Sequence, residues 1–182
     1  LSAIVPYGFG VMQETQNRNQ KTAQIMYHAI SEQQGQELYK QEEIAWVGEF
    51  FNAFSEQVNH STVNFSYANA DMLTSQSMPY SGDLPASENE IVVQESFLDS
   101  LGYSNELGQT IQIPFSDGTT HDFKLTGILD VKTGDIGRYT AIISKELIRQ
   151  QYGDEGMIDY YIGLNGAQNM SEEEAANYAN TL

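Results

Sequence analysis

The stretch SGDLPASENEIVVQESFLDSLGYSNELGQTIQIPFSDGTTHDFKLTGILD, Ser81 to Asp130, decides how this chain is read. Gly82 and Pro85 punctuate its start. Ile91, Val92 and Val93 then form a short apolar run bounded by polar residues, which predicts a buried strand. Phe97, Leu98 and Leu101 fall at i, i+1 and i+4, so they share one helical face. Gly102 and Gly108 stop that helix and turn the chain. Ile111 and Ile113 alternate with polar neighbours, Asp117-Gly118 supplies a hairpin turn, and Phe123, Leu125 and Gly127-Ile128 return as a second strand. Turn, strand, helix and hairpin follow one another with no catalytic group among them.

Upstream, Thr15 to Lys21 is polar and reads as a loop or helix start, and Gln24 to Ile30 alternates as a strand does. Ser31 to Glu43 holds good helix formers and predicts a short helix, weakened in its first half by Gly35. The segment after it is ambiguous. Ile44, Val47, Phe51 and Phe54 have helical spacing, whereas Trp46, Gly48 and Phe50 suit a pleated strand with a bulge. A strand from Ile44 to Asn52 is the favoured reading, paired as an antiparallel ribbon with the alternating run Ser61 to Tyr67. Asp71 to Met78 makes a brief helical turn before Pro79.

Downstream, the chain repeats itself locally. Ile91-Val92-Val93 followed by Phe97-Leu98 is echoed by Ala141-Ile142-Ile143 followed by Leu147-Ile148, each a strand entering a helix, with Ser144 placed to cap the second. Two such units are a reused strand–helix piece and not a solenoid. Met157 to Leu164 reads as a strand, and Ser171 with Glu174 forms a capping box opening a last helix toward Leu182.

At 182 residues with 40% apolar content, the chain suffices for one domain or two small lobes with a real core. Only 8 basic residues stand against 25 acidic ones, a net charge of −17, which argues against nucleic acid as a partner and against direct docking on anionic lipid. The simplest use of that charge is a solvated surface. Cysteine is absent, so disulfides, thiolate zinc sites and a cysteine nucleophile are excluded together. No run approaches the ~20 apolar residues that span a bilayer. The opening LSAIVPYGFGVM is apolar but broken by Pro6, Gly8 and Gly10, and it lacks the basic region of a signal peptide.

Reactive groupings are equally sparse. His28, His60 and His121 include no i, i+4 pair, so metal ligation has no support in spacing. His28 lies in an apolar strand and is expected to be packed, and His121 beside the hairpin to be exposed. Glu42-Glu43 reads as a solvated helix face and Glu172 to Glu174 as a helix N-terminus favoured by the dipole. Asp130, Gly134 and Asp135 lack the spacing of a calcium loop. No G-x-S-x-G elbow or S-x-x-K pair occurs, and Gly8-x-Gly10 lacks the third glycine of a nucleotide loop. Asn59, Asn64 and Asn169 each head an Asn-x-Ser triplet, a pattern that arises by chance. Trp46, Phe50, Phe51 and Phe54 exceed what one face of a ribbon buries; either both faces are covered, or part of the apolar surface is open to a partner. No catalytic, cofactor-binding or metal-ligating residue is therefore assigned.

Gly82, Pro85, Glu90-Ile91-Val92-Val93, Leu101-Gly102, Leu107-Gly108, Ile111, Phe123, Gly127 and Ile128 together resemble the extracytoplasmic core domain of MacB/FtsX-type ABC transporter permeases. In that family a G-x-x-P turn leads to an E-I/V-V strand, a helix ending in L-G, an L/V-G-x-x-I strand and an F-x-x-x-G-I strand. The close match is confined to residues 82–128, and the order of elements continues the likeness over most of the rest. The resemblance implies an α+β fold of two lobes. Residues 1–19 would be a membrane-proximal segment, 20–81 with 154–182 a porter-like α/β lobe, and 82–153 a smaller inserted α/β lobe.

By the same resemblance this is a non-catalytic domain on the extracytoplasmic side of the cell membrane, without a cofactor. It would transmit motion or recognise a substrate or accessory protein. The implied partners are a cytoplasmic ATP-binding subunit or domain, reached through membrane helices, and an extracellular accessory protein, peptide or lipid. The alternative is a free-standing secreted or surface-anchored binding protein. A hydrolase would require two converging carboxylates, and the spacing singles out no pair.

Overall fold

The computed structural model describes residues 3–4 as backbone, together with 22–131, 137–153, 158–167 and 170–182. The expected membrane-proximal segment 1–19, apart from Ala3–Ile4, lies outside them, as do Asp135 and Asn169. The first half of the chain forms β1 (Ala3–Ile4), β2 (Ile25–Ile30), α1 (Glu32–Leu38), β3 (Ile44–Val58), β4 (Ser61–Ala68), α2 (Ala70–Ser75) and β5 (Tyr80–Gly82). Then come β6 (Glu90–Gln94), α3 (Glu95–Ser100), β7 (Thr110–Pro114), β8 (Thr120–Leu129) and β9 (Arg138–Ile143). The chain closes with α4 (Lys145–Tyr152), β10 (Ile158–Leu164) and α5 (Glu172–Ala179). These elements collect into two compact units, one of Leu1–Phe51, Asn69–Ser77 and Asp154–Leu182, the other of Asn52–Ala68 and Met78–Gly153.

In the first unit the strands run β1-β2-β10 and then the first part of β3. Both β2 and β3 pair antiparallel with β10. Ile25, Tyr27, Val47, Tyr160 and Ile162 are buried along this sheet. Each helix has a local start signal. The Ser31 hydroxyl accepts from the Gln34 N–H while the Gln34 side chain returns to the Ser31 N–H, and Ser171 and Glu174 repeat the arrangement at α5. Gly35 does not loosen α1; it is buried where the Tyr160 ring occupies the space of a Cβ. Burial decides here what helix propensity leaves open.

β3 runs past the expected Asn52 to Val58. It then turns through Asn59 and His60, whose φ of 48° and 70° define a two-residue mirror-type hairpin into β4. An Asn-His pair is a weaker turn signal than Asn-Gly, which hides the end of β3 in the sequence. Residues from Asn52 onward on β3, with all of β4, belong to the second unit.

Within the second unit the strand order is β3-β4-β9-β6-β8-β5, with β7 also on β8. β4 and β9 are parallel, β6 and β8 are parallel, and β6 lies antiparallel to β9 with Ile91 opposite Ile143, Val92 opposite Ile142 and Val93 opposite Ala141. The two strand–helix pieces seen in the sequence are thus central neighbours running in opposite directions. Each has a parallel strand on its outer side. Ile91, Val92, Val93, Ala141 and Ile143 are completely buried, which is why these strands read as continuous apolar runs and not as alternations. Ser144 caps α4 through the Leu147 N–H at 3.0 Å. At the corresponding position Gln94 offers α3 no side-chain cap. Its buried amide instead accepts from the Thr140 N–H at 2.6 Å and donates to the Val131 carbonyl at 3.3 Å.

The β7–β8 hairpin turns over Phe115–Thr119. The Gly118 N–H reaches the Phe115 carbonyl at 3.1 Å, the Phe115 N–H reaches the Thr119 carbonyl at 2.8 Å, and Gly118 has φ 87°. This is a turn closed by a left-handed residue, which glycine adopts without a Cβ clash.

Candidate functional site

Among the described residues no group of three or more His, Asp and Glu side chains is placed to hold a metal ion. No described helix is long and apolar enough to cross a membrane. His28 is not packed as expected: its side chain is 67% exposed, with Nδ1 2.8 Å from the Asp159 carboxylate. The cause is the alternation of β2: Ile25 and Tyr27 face the core, so His28 faces out, and a bulge follows it. The β2–β10 register shifts between Ile158 and Tyr160, Ala29 takes φ 47°, and its N–H donates to the same Asp159 carboxylate at 2.9 Å. The extra residue in β2 leaves Ala29 exposed as well and returns Ile30 to the buried face. His121 is exposed as expected, stacked on Phe115 with ring centres 4.1 Å apart.

Glu172, Glu173 and Glu174 occupy the first turn of α5, but Glu42 and Glu43 lie beyond the end of α1 and not on a helix face. Glu43 is put to structural use, accepting the Tyr178 hydroxyl at 3.1 Å. Trp46, Phe50, Phe51 and Phe54 are all half-buried, so their cover is incomplete and part of this apolar surface is open. Phe54 stacks on Phe65 at 4.7 Å between ring centres, and Phe115 meets both rings.

Two polar arrangements escaped sequence reading. In the first unit, buried Glu49 accepts the Tyr39 hydroxyl at 2.6 Å and the Asn69 amide at 3.3 Å. Asn69 also accepts from the N–H groups of Glu49 and Met72, both at 3.0 Å, and donates to the Val47 carbonyl at 2.9 Å. A buried carboxylate is retained at acceptable cost when hydrogen bonds surround it, and this cluster ties β3 to the start of α2. In the second unit, Glu90 accepts the N–H groups of Ala86 and Ser87 at 2.8 and 3.3 Å. The Ala86 N–H is the main reason its carboxyl is held below the usual range. The Glu90 carboxylate is therefore a fastener for the turn before β6.

The second unit also contains a groove of about 440 Å³ lined by Pro79, Tyr80, Ser81, Glu95, Asn105, Leu107, Ile128 and Asp130. The register builds it. Ser81 lies opposite Ile128, and the Asp130 N–H donates to the Pro79 carbonyl at 2.9 Å, so these four residues present side chains to one face. α3 brings Glu95 to that face, and the loop before β7 brings Asn105 and Leu107. The Asn105 amide donates to Glu95, and Leu107 is 43% exposed. The groove combines apolar walls with two carboxylates, a chemistry of recognition.

The sequence matches no family model and no curated protein. Solved structures do match the fold. The periplasmic region of MacB from Actinobacillus actinomycetemcomitans superposes with a TM-score of 0.57 at 13% identity, over 85% of this chain and 75% of that one. The extracellular domain of the noncanonic ABC-type transporter YknZ from Gram-positive bacteria gives 0.56 at 12% identity, over 84% and 83%. A domain assigned to a permease protein of Porphyromonas gingivalis gives 0.57 at 9% identity, over 90% and 76%. The chain therefore has the mixed α/β fold of MacB-type extracytoplasmic domains.

Proposed function

We propose that this chain is the non-catalytic extracytoplasmic domain of an ABC transporter permease, which transmits motion or recognises a substrate or accessory protein outside the membrane. The observation that carries the reading is the fold likeness to the MacB and YknZ domains over most of both chains. The local architecture suits it. Buried polar groups such as Glu49 and Gln94 are held in hydrogen-bonded clusters, which makes for stiff units fit to pass on movement. The proposal includes a cytoplasmic ATP-binding partner, reached through membrane helices, and location at the cell membrane. It also includes the division into a membrane-proximal segment 1–19, a porter-like lobe of 20–81 with 154–182, and an inserted lobe of 82–153.

The test is the encoding gene and its product. Apolar spans of ~20 residues before Leu1 and beyond Leu182 are expected, together with co-purification of an ATPase from detergent-solubilised membranes. A full-length product without such spans, recovered from the medium or the cell surface, overturns the reading in favour of a free-standing binding protein.

A further inference from the structure

We propose that the groove beside β5 receives an extended peptide segment carrying basic side chains among apolar ones. The proposal deepens the recognition half of the permease reading and rests on it for biological context; the binding itself is a property of the second unit.

Backbone, wall and charge each point to that occupant. β5 ends the strand order, and among the described residues no strand pairs with its other edge. The hydrogen bonds Asp83 N–H to Thr126 carbonyl and Asp130 N–H to Pro79 carbonyl, both 2.9 Å, set the alternation. Ser81 therefore bonds toward β8, while Tyr80 turns its backbone groups outward and Gly82, at φ 82°, ends the strand. Ser81 and Gly82 are exposed. An open strand edge is a ready template for an added strand, with affinity from main-chain bonds and selectivity from side-chain pockets alongside.

The pocket alongside is the 440 Å³ groove. Leu107, Ile128 and Pro79 give it apolar surface, and no Lys or Arg is among its described lining residues. Glu95 and Asp130 are exposed carboxylates at its rim, available to an ammonium or guanidinium group. The chain's net charge of −17 draws a basic partner toward the molecule and repels an acidic one.

The probe is a fluorescein-labelled hexapeptide alternating lysine and leucine, titrated by anisotropy against the 182-residue chain at 150 mM salt. Comparators are the glutamate–leucine peptide and spermidine, a polyamine with no strand-forming backbone. Saturable binding is expected, about tenfold or more tighter than for either comparator. The double variant L107S/D130N should weaken it about fivefold or more, with Tyr80, Ser81 and Gly82 amide resonances shifting in the wild type on titration. D99N/D122N removes two exposed charges elsewhere in the same unit and should leave affinity within about twofold. Unchanged melting temperatures for both double variants establish that fold loss is not being measured.

Equal weakening by the two double variants, spermidine competing as well as the peptide, amide shifts confined to other residues, or no binding to the intact chain would each overturn the proposal. Peptide binding by a protein whose gene lacks membrane spans would sink the permease reading alone. Loss of binding in a protein that has them would sink this inference alone.

Discussion

The indole of Trp46 lies across Gly163, its direct cross-strand partner between β3 and β10, and fills the space a Cβ would need there. Glycine in a strand normally weakens it; here its missing side chain is the seat for an aromatic ring. Gly163→Ala should push the indole off this seat and destabilise the protein by about 1–3 kcal/mol, as overpacking does. Trp46 is the single tryptophan, so its emission should shift with the change. Chemical denaturation followed by fluorescence checks both, and an unmoved emission maximum with an unmoved midpoint would refute the packing.

Asn69 closes the circuit between β3 and α2. Asn69→Ala should cost about 2–3 kcal/mol, combining the loss of a helix cap with bonds to Glu49 and Val47. Asn69→Asp is the sharper test, because it sets a second carboxylate against Glu49, whose Oε2 lies 3.3 Å from the present amide nitrogen. Two carboxylates that close cannot both ionise easily. The variant should be destabilised most at neutral pH and recover on acidification, whereas a purely steric defect would be flat with pH.

Gly108 has φ 89°, and nothing lies within 4 Å of where its Cβ would be. Substitution there tests backbone strain without a clash. Gly108→Val should lower the melting temperature by an amount corresponding to about 1–3 kcal/mol. A variant melting with the wild type would remove the turn from the list of determinants.

Alkaline titration should act on α5. Burial, and then its bond to the Glu43 carboxylate, push the Tyr178 hydroxyl from an ordinary 10.0 up to about 12. Since the folded state favours the protonated phenol, its stabilising contribution is complete below pH 10 and is lost as pH rises toward 12. Burial also raises Tyr27, whose hydroxyl donates to the Ala179 carbonyl at 3.0 Å on the same helix. Thermal melts between pH 9 and 12 should show stability falling across that window. Tyr178→Phe should flatten the fall, and an identical slope in the variant would show that the bond to Glu43 plays no part.

Local order was legible wherever chemistry and neighbours in sequence coincide. The apolar runs of β6 and β9, the capping residues Ser144 and Ser171, and the turn at Asp117-Gly118 all stand where the pattern puts them. The same short-range cues failed at His28, since which face of β2 is buried depends on what packs against it. They failed too at Gly35, whose value comes from the Tyr160 ring far away in the chain. The groove was invisible because its walls come from residues near 80, 95, 105 and 130, none of which is unusual beside its own neighbours.

Composition and periodicity alone determined an acidic, cysteine-free chain with two strand–helix pieces, because hydrophobic spacing and caps act over a few residues. The α+β fold of two lobes came from the family resemblance. Only the tertiary structure decided that those pieces lie antiparallel at the centre of one unit, that Glu49 is buried among partners, and that β5 borders an open groove. Strand order and register bring distant residues together, and no local pattern carries that information.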